Sequence, residues 1–153
     1  MCLFLKKENE LINLAKKDIP CYKLLSRRKS DDGTTHLRTP FMQDEVDYGI
    51  TVKAKGEHGT TIEFSDWEEG RFEFSRKLMG EGFIHTFKTI EDADITLLSH
   101  DYPIDNPVLV KCVIPKGTWY YEGEFEYTGS VSYASKSLRY GKRIVKDYSK
   151  GIK

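Results

Sequence analysis

Along most of this chain the apolar positions alternate in short runs, and few of them recur at helical spacing. That pattern predicts a protein built mainly from short strands. Ile19 to Leu25 (IPCYKLL) reads as an early strand. Ile50 to Ala54, Thr60 to Phe64 and Phe72 to Phe74 are β-like pieces separated by glycines, with Ile62 and Phe64 on one face and Phe72 and Phe74 on another. Phe83 to Phe87 follows Gly80-Glu81-Gly82. Val108 to Ile114 (VLVKCVI) is the strongest signal, because only Lys111 interrupts its apolar run, and a central strand is expected there. After the turn Pro115-Lys116-Gly117, Trp119 to Tyr127 alternates. Trp119, Tyr121, Phe125 and Tyr127 take one face, and Tyr120, Glu122, Glu124 and Glu126 take the other. Ser130 to Ser135 and Leu138 to Val145 complete the series, the last one basic at Arg139, Lys142 and Arg143.

Helical spacing occurs in two places. Residues 8–17 (ENELINLAKK) carry Leu11, Ile12, Leu14 and Ala15, and Pro20 stops the segment. Thr89 and Asp92 have capping-box spacing, with Asp in place of the usual Glu. Ile90, Ala93 and Leu97 then form a buried stripe, and the acidic first turn suits the helix dipole. Residues 26–35 (SRRKSDDGTT) read as a polar loop turned at Asp31-Asp32-Gly33. The expectation is one α+β domain over residues 1–153, a mostly antiparallel sheet of about seven or eight short strands with two helices.

Composition narrows the function classes. The chain has 153 residues, 39% hydrophobic and 31% charged, enough to bury a core and unlike a disordered chain. No apolar run reaches the ~18 residues of a bilayer-spanning helix, so no membrane partner is expected. Lys+Arg and Asp+Glu number 24 each, and a zero net charge argues against a dedicated nucleic-acid binder. Cys2, Cys21 and Cys112 are widely spaced with no C-x-x-C pair, which gives a zinc site little support and suits reduced thiols in the cytoplasm. Removal of Met1 would leave Cys2 as an N-terminal nucleophile, the sharper reading of that residue.

Candidate chemistry is sparse. The histidines His36, His58, His85 and His100 lack metal-ligand spacing, so no metal or other cofactor is expected. His85 alternates with Phe83 and Phe87, as a structural imidazole or as an acid–base group in a cleft. Glu122, Glu124 and Glu126 form an acidic ladder, either a solvent face or a paired-carboxylate site. Trp67, in an acidic turn, is a loop anchor or a ligand platform. Walker, G-x-G-x-x-G, H-E-x-x-H and G-x-S-x-G motifs do not occur.

Several short motifs occur in a recognisable order. They are Met1-Cys2-Leu3, Cys21-Tyr22-Lys23, Gly82-Phe83 through Phe87 with Glu91-Asp92-Ala93, Val110 to Gly117 (VKCVIPKG) and Tyr133-Ala134-Ser135. This order resembles a family of small proteins of bacteriophages and Bacteroides-type bacteria. More faintly, the chain is similar to the ADP-ribosyltransferase fold. There an early strand carries a His or Arg that grips NAD, and a late strand carries a catalytic Glu. Here Cys21-Tyr22-Lys23 and Tyr133-Ala134-Ser135 stand at those places. The resemblance implies a phage-type cytoplasmic protein. The zero net charge, the abundance of aromatic residues and the lack of an intact catalytic set add the expectation that it holds a nucleotide-like small molecule or a host protein, and so blunts host defence, without catalysis. Tyr22, Lys23, His85, Thr86, Tyr133 and Ser135 are the residues expected to face such a ligand. An alternative is an NAD-consuming enzyme in which Glu124 or Glu126 stabilises a ribosyl cation and His85 orients the ligand. A third is a structural domain that forms a homo-oligomer through an exposed edge at residues 119–127.

Overall fold

A computed structural model describes residues 2–6, 11–39, 49–54, 60–63, 74–79, 82–99, 104, 106–125 and 130–148. The strands are β1 (Cys2–Lys6), β2 (Asn13–Leu14), β3 (Ile19–Lys29), β4 (Thr35–Arg38), β5 (Thr51–Lys53) and β6 (Thr60–Glu63). There follow β7 (Phe74–Met79), β8 (Ile84–Phe87), the helix α1 (Ile90–Ser99), β9 (Pro107–Ile114), β10 (Trp119–Phe125), β11 (Val131–Ser135) and β12 (Ser137–Asp147). All 12 strands belong to one sheet, ordered β5-β12-β9-β3-β8-β11-β10-β1-β7-β6, with β2 on β10 and β4 on β3. Every pairing is antiparallel.

β9 lies between β3 and β12, as its unbroken apolar run implies. Its even positions Val108, Val110, Cys112 and Ile114 face the inner side of the sheet. There they meet Cys21 and Leu25 of β3, Leu138 and Tyr140 of β12, and Tyr133 of β11. β12, β9 and β3 are neighbours in the sheet, and β11 joins their cluster across β8. The outer face packs Leu24, Phe87, Leu109 and Phe125 against Ala93 of α1. Leu3, Leu5 and Ala134 extend that packing, with Phe83 and Tyr121 edge-to-face at 5.5 Å.

The helix begins where the capping signal places it. Thr89 N donates to Asp92 Oδ2 at 3.1 Å, and Asp92 N donates to Thr89 Oγ1 at 3.1 Å. Asp92 also reaches the sheet, its Oδ1 accepting from Val131 N at 2.9 Å. A buried Ser130 hydroxyl donates to Asp92 O at 2.7 Å and lies 2.9 Å from Thr96 Oγ1. At the far side, Asp94 accepts from Lys146 Nζ at 2.8 Å and from Tyr148 Oη at 2.6 Å. The capping box therefore both starts the helix and docks it.

The observed architecture keeps the antiparallel α+β character and corrects the count in both directions. One helix is described instead of two, and the strands exceed the expected seven or eight. In the expected N-terminal helix, residues 11–17 hold only the short strand β2, paired with Trp119 and Tyr120. Leu11, Ile12 and Leu14 are exposed there, and a ten-residue segment without a packed face does not sustain a helix. The expected polar loop at 26–35 is instead a hairpin: β3 runs on to Lys29 and pairs with β4 through a turn closed by Gly33 N to Ser30 O. Strand β1 was unexpected, because its run Leu3-Phe4-Leu5 is as short as it is apolar. Residues 119–125 are not a free edge, since β10 pairs with β11 on one side and with β1 and β2 on the other.

Candidate functional site

The residues expected to face a ligand lie on adjacent strands but not on one surface. Tyr133 is paired with Thr86, Ala134 with His85 and Tyr22 with Phe87. By alternation, Lys23, Thr86, Tyr133 and Ser135 belong to the inner face, and Tyr22 and His85 to the outer one. All but Tyr22 are buried. Tyr22 is half-buried and stands directly opposite Lys111 of β9.

Their chemistry is that of interior groups held by the fold. Lys23 Nζ donates to the carbonyl of His85 at 2.7 Å. Burial pushes this amine down from the usual 10.5 to about 8. The His85 imidazole falls from 6.5 to about 3, first by burial and then by the charge of Lys23, so it is neutral at physiological pH. Its Nδ1 has no hydrogen-bond partner among the described residues. Cys21 and Cys112 stand opposite each other across β3 and β9 as free, buried thiols. Burial pushes each up to about 12, so neither supplies a thiolate nucleophile at neutral pH. Burial also raises Tyr133, with the carboxylate of Glu122 adding to it. The Tyr133 ring meets Tyr120 edge-to-face at 5.8 Å.

The carboxylate ladder is divided among different surroundings. Glu122 pairs with Lys88 at 3.0 Å. Glu124 is half-buried opposite Val131 and Phe4. Both share the face of Tyr133, whereas His85 is on the other side of the sheet. Glu126, Trp67, His58 and His100 lie outside the described residues, as does the Cys2 side chain. Among the described residues, no three His, Cys, Asp or Glu side chains gather to hold a metal, and no helix is long and apolar enough to cross a membrane.

The outer face offers a different kind of surface. Helix α1 covers it near Leu24, Leu109 and Val145. Beyond that cover, β5, the start of β12 and the turn between β9 and β10 leave a cavity of about 530 Å³. Its walls include Trp119, Lys53, Lys116, Lys136, Thr51 and Thr118. The Trp119 side chain is 48% exposed, although it is large and apolar. The turn holds it there: Gly117, at φ +88°, donates to Ala15 O, and Lys136 N donates to Trp119 O at 3.0 Å. Lys136 Nζ is pinned to Gly82 O at 2.8 Å and sits 4.0 Å above the Phe83 ring. An exposed indole in a cavity lined by Lys53 and Lys116 can stack a flat aromatic ligand and attract an anion. In the sequence Trp119 stands out only as one member of an alternating strand. The available signal was a tryptophan directly after a Pro-Lys-Gly-Thr turn, near a basic last strand.

Comparison with protein-family models, curated proteins and solved structures finds no match to this chain.

Proposed function

We propose that the protein binds a nucleotide-like small molecule without transforming it, and that the Trp119 cavity is where it does so. One observation carries this reading: a half-exposed indole shares a cavity of about 530 Å³ with Lys53, Lys116 and Lys136. That volume lies in the range of small-ligand sites. A base stacked on an aromatic ring contributes about 1–3 kcal/mol, and lysine ammoniums supply the point charges that phosphate needs. Non-catalytic binding is supported by Cys21 and Cys112, which are buried, protonated thiols and offer no thiolate to a ligand. In the phage-type setting that the sequence resembles, holding a host nucleotide in this way would blunt a host response.

Titration of the protein with AMP, followed by Trp119 fluorescence against a Trp119→Phe control, tests the proposal. Saturable quenching that the control lacks, with AMP recovered intact, is the expected result. Absence of saturable quenching, or recovery of a chemically altered nucleotide, overturns it.

A further inference from the structure

A second cavity, of about 350 Å³, opens on the same outer face of β9 and β12. Lys111, Arg139, Lys142 and Arg143 surround it, with Gly49 and Gly141. Local backbone structure builds this site. Between the pairs Tyr140↔Cys112 and Ile144↔Val110, β12 spends four residue steps against two on β9. The extra residues form a bulge that re-aims Lys142 and Arg143. Gly141 lets the bulge lie close to β9, for a Cβ there would stand 2.6 Å from Lys111 O. Gly49 N donates to Tyr140 O at 2.9 Å and ties the loop before β5 to the same spot.

The two cavities lie along one run of sheet. The register puts Thr51, Arg139 and Val113 in one row across β5, β12 and β9. Pro115, just past the end of β9 and in the Trp119 cavity, is four residues from Lys111 of β9, in the second, about 13 Å of extended chain. Asp18 stands between them, its Oδ1 accepting from Lys116 N at 2.9 Å and its Oδ2 3.6 Å from Arg139 Nη2.

We infer that the bulge cavity is a phosphate subsite for the same ligand, which therefore carries a chain of phosphates leading away from the base stacked on Trp119. The inference rests on the proposed nucleotide site for the position of the base. Two sources share this chemistry, a nucleoside polyphosphate and a short oligonucleotide. The side chains of Lys111, Lys142 and Arg143 border the cavity and are exposed, so their charged ends are free to turn onto phosphate oxygens in charge-assisted hydrogen bonds, while Arg139 is shared with Asp18.

Calorimetric titration with AMP, ATP, inorganic tripolyphosphate and a three-nucleotide adenylate tests this, on the native chain and on a Lys142→Glu/Arg143→Glu variant. The native protein is expected to prefer ATP or the trinucleotide over AMP by about tenfold. In the variant that preference collapses to within about twofold, while its unfolding midpoint matches the native chain because the replaced side chains are exposed. A preference confined to ATP assigns a nucleoside polyphosphate. A preference confined to the trinucleotide assigns an oligonucleotide, and its salt dependence then loses a slope of about 1.4 in the variant, for two phosphate contacts. Equal affinity for all three nucleotides, or a preference that survives in the variant, overturns the inference and leaves the Trp119 reading standing. Tripolyphosphate binding that the variant loses, with no AMP binding at all, upholds the subsite and rejects the base on Trp119.

Discussion

The inner face of the sheet and the open end of its outer face hold the same residue types in opposite states. On the inner side Lys23 is buried, with its amine tied to a backbone carbonyl and its pKa pushed down to about 8. On the outer side Lys53 and Lys116 line an open cavity beside an exposed tryptophan. The inner aromatic ring, Tyr133, is buried against Tyr120, whereas Trp119 is 48% exposed. Buried polar groups of this kind constrain the fold and are costly to disturb. Exposed ones cost the fold little and remain available to a ligand.

The sharpest way to separate the buried groups from the open ones is pH, and His85, buried under the covered part of the outer face, gives the largest effect. His85 has a folded pKa of about 3 against the usual 6.5, so the unfolded chain binds the extra proton between those values. The His85 contribution to stability is therefore whole above pH 6.5 and is lost as the pH drops towards 3, by about 3 kcal/mol between pH 7 and pH 4. A His85→Gln variant should lose that acid dependence in denaturant unfolding. Parallel pH curves for variant and native chain would refute the assignment. Lys23 acts at the other end of the scale. Its folded pKa is also lowered, so Lys23 adds stability as the pH rises from 8 to 10.5, whereas Cys21 and Cys112, pushed up to about 12, remove it above pH 9. Lys23→Met should therefore lose the rise between pH 8 and 9 and keep the fall above it.

Asp92 gives the next largest effect. It closes the capping box and accepts from Val131 N, so Asp92→Ala should cost about 2–3 kcal/mol in thermal or chemical unfolding. A loss below about 0.5 kcal/mol would mean that the helix docks by apolar contact alone.

How much of this was legible in the sequence depends on the range of the signal. The Thr89–Asp92 cap and the strand at Val108 to Ile114 are local patterns, and both appear as read. The hairpin of β3 and β4 was hidden because its polar residues Arg27, Arg28 and His36 sit in a ladder whose partners are set by tertiary pairing. Tyr22, Lys23, His85, Thr86, Tyr133 and Ser135 were brought together as adjacent strands, yet alternation sent Tyr22 and His85 to the other face. The outer cavities were hidden in the net charge. A sum of zero says nothing about Lys111, Arg139, Lys142 and Arg143 gathering around one bulge.

On the outer face the expected effects are smaller for the fold and specific to binding. Trp119→Ala should weaken nucleotide binding by about tenfold, from lost stacking. It should change stability by no more than about 0.5 kcal/mol. An equal loss in both measurements would make Trp119 a structural anchor. Asp18→Asn removes a carboxylate that competes for Arg139 while keeping an oxygen for Lys116 N. It should tighten binding of a polyphosphate by about two- to threefold. Weaker binding would give Asp18 a positioning role instead.

The central claim, that the ligand meets the outer face and not the interior, is most directly tested by amide and indole chemical-shift mapping during titration with ATP. The account predicts saturable shifts at the Trp119 indole, Lys53, Lys116, Lys136 and the Gly141 bulge, with Lys23, Thr86 and Tyr133 unmoved. Shifts centred on Lys23, Thr86 and Tyr133, with Trp119 unmoved, would contradict it.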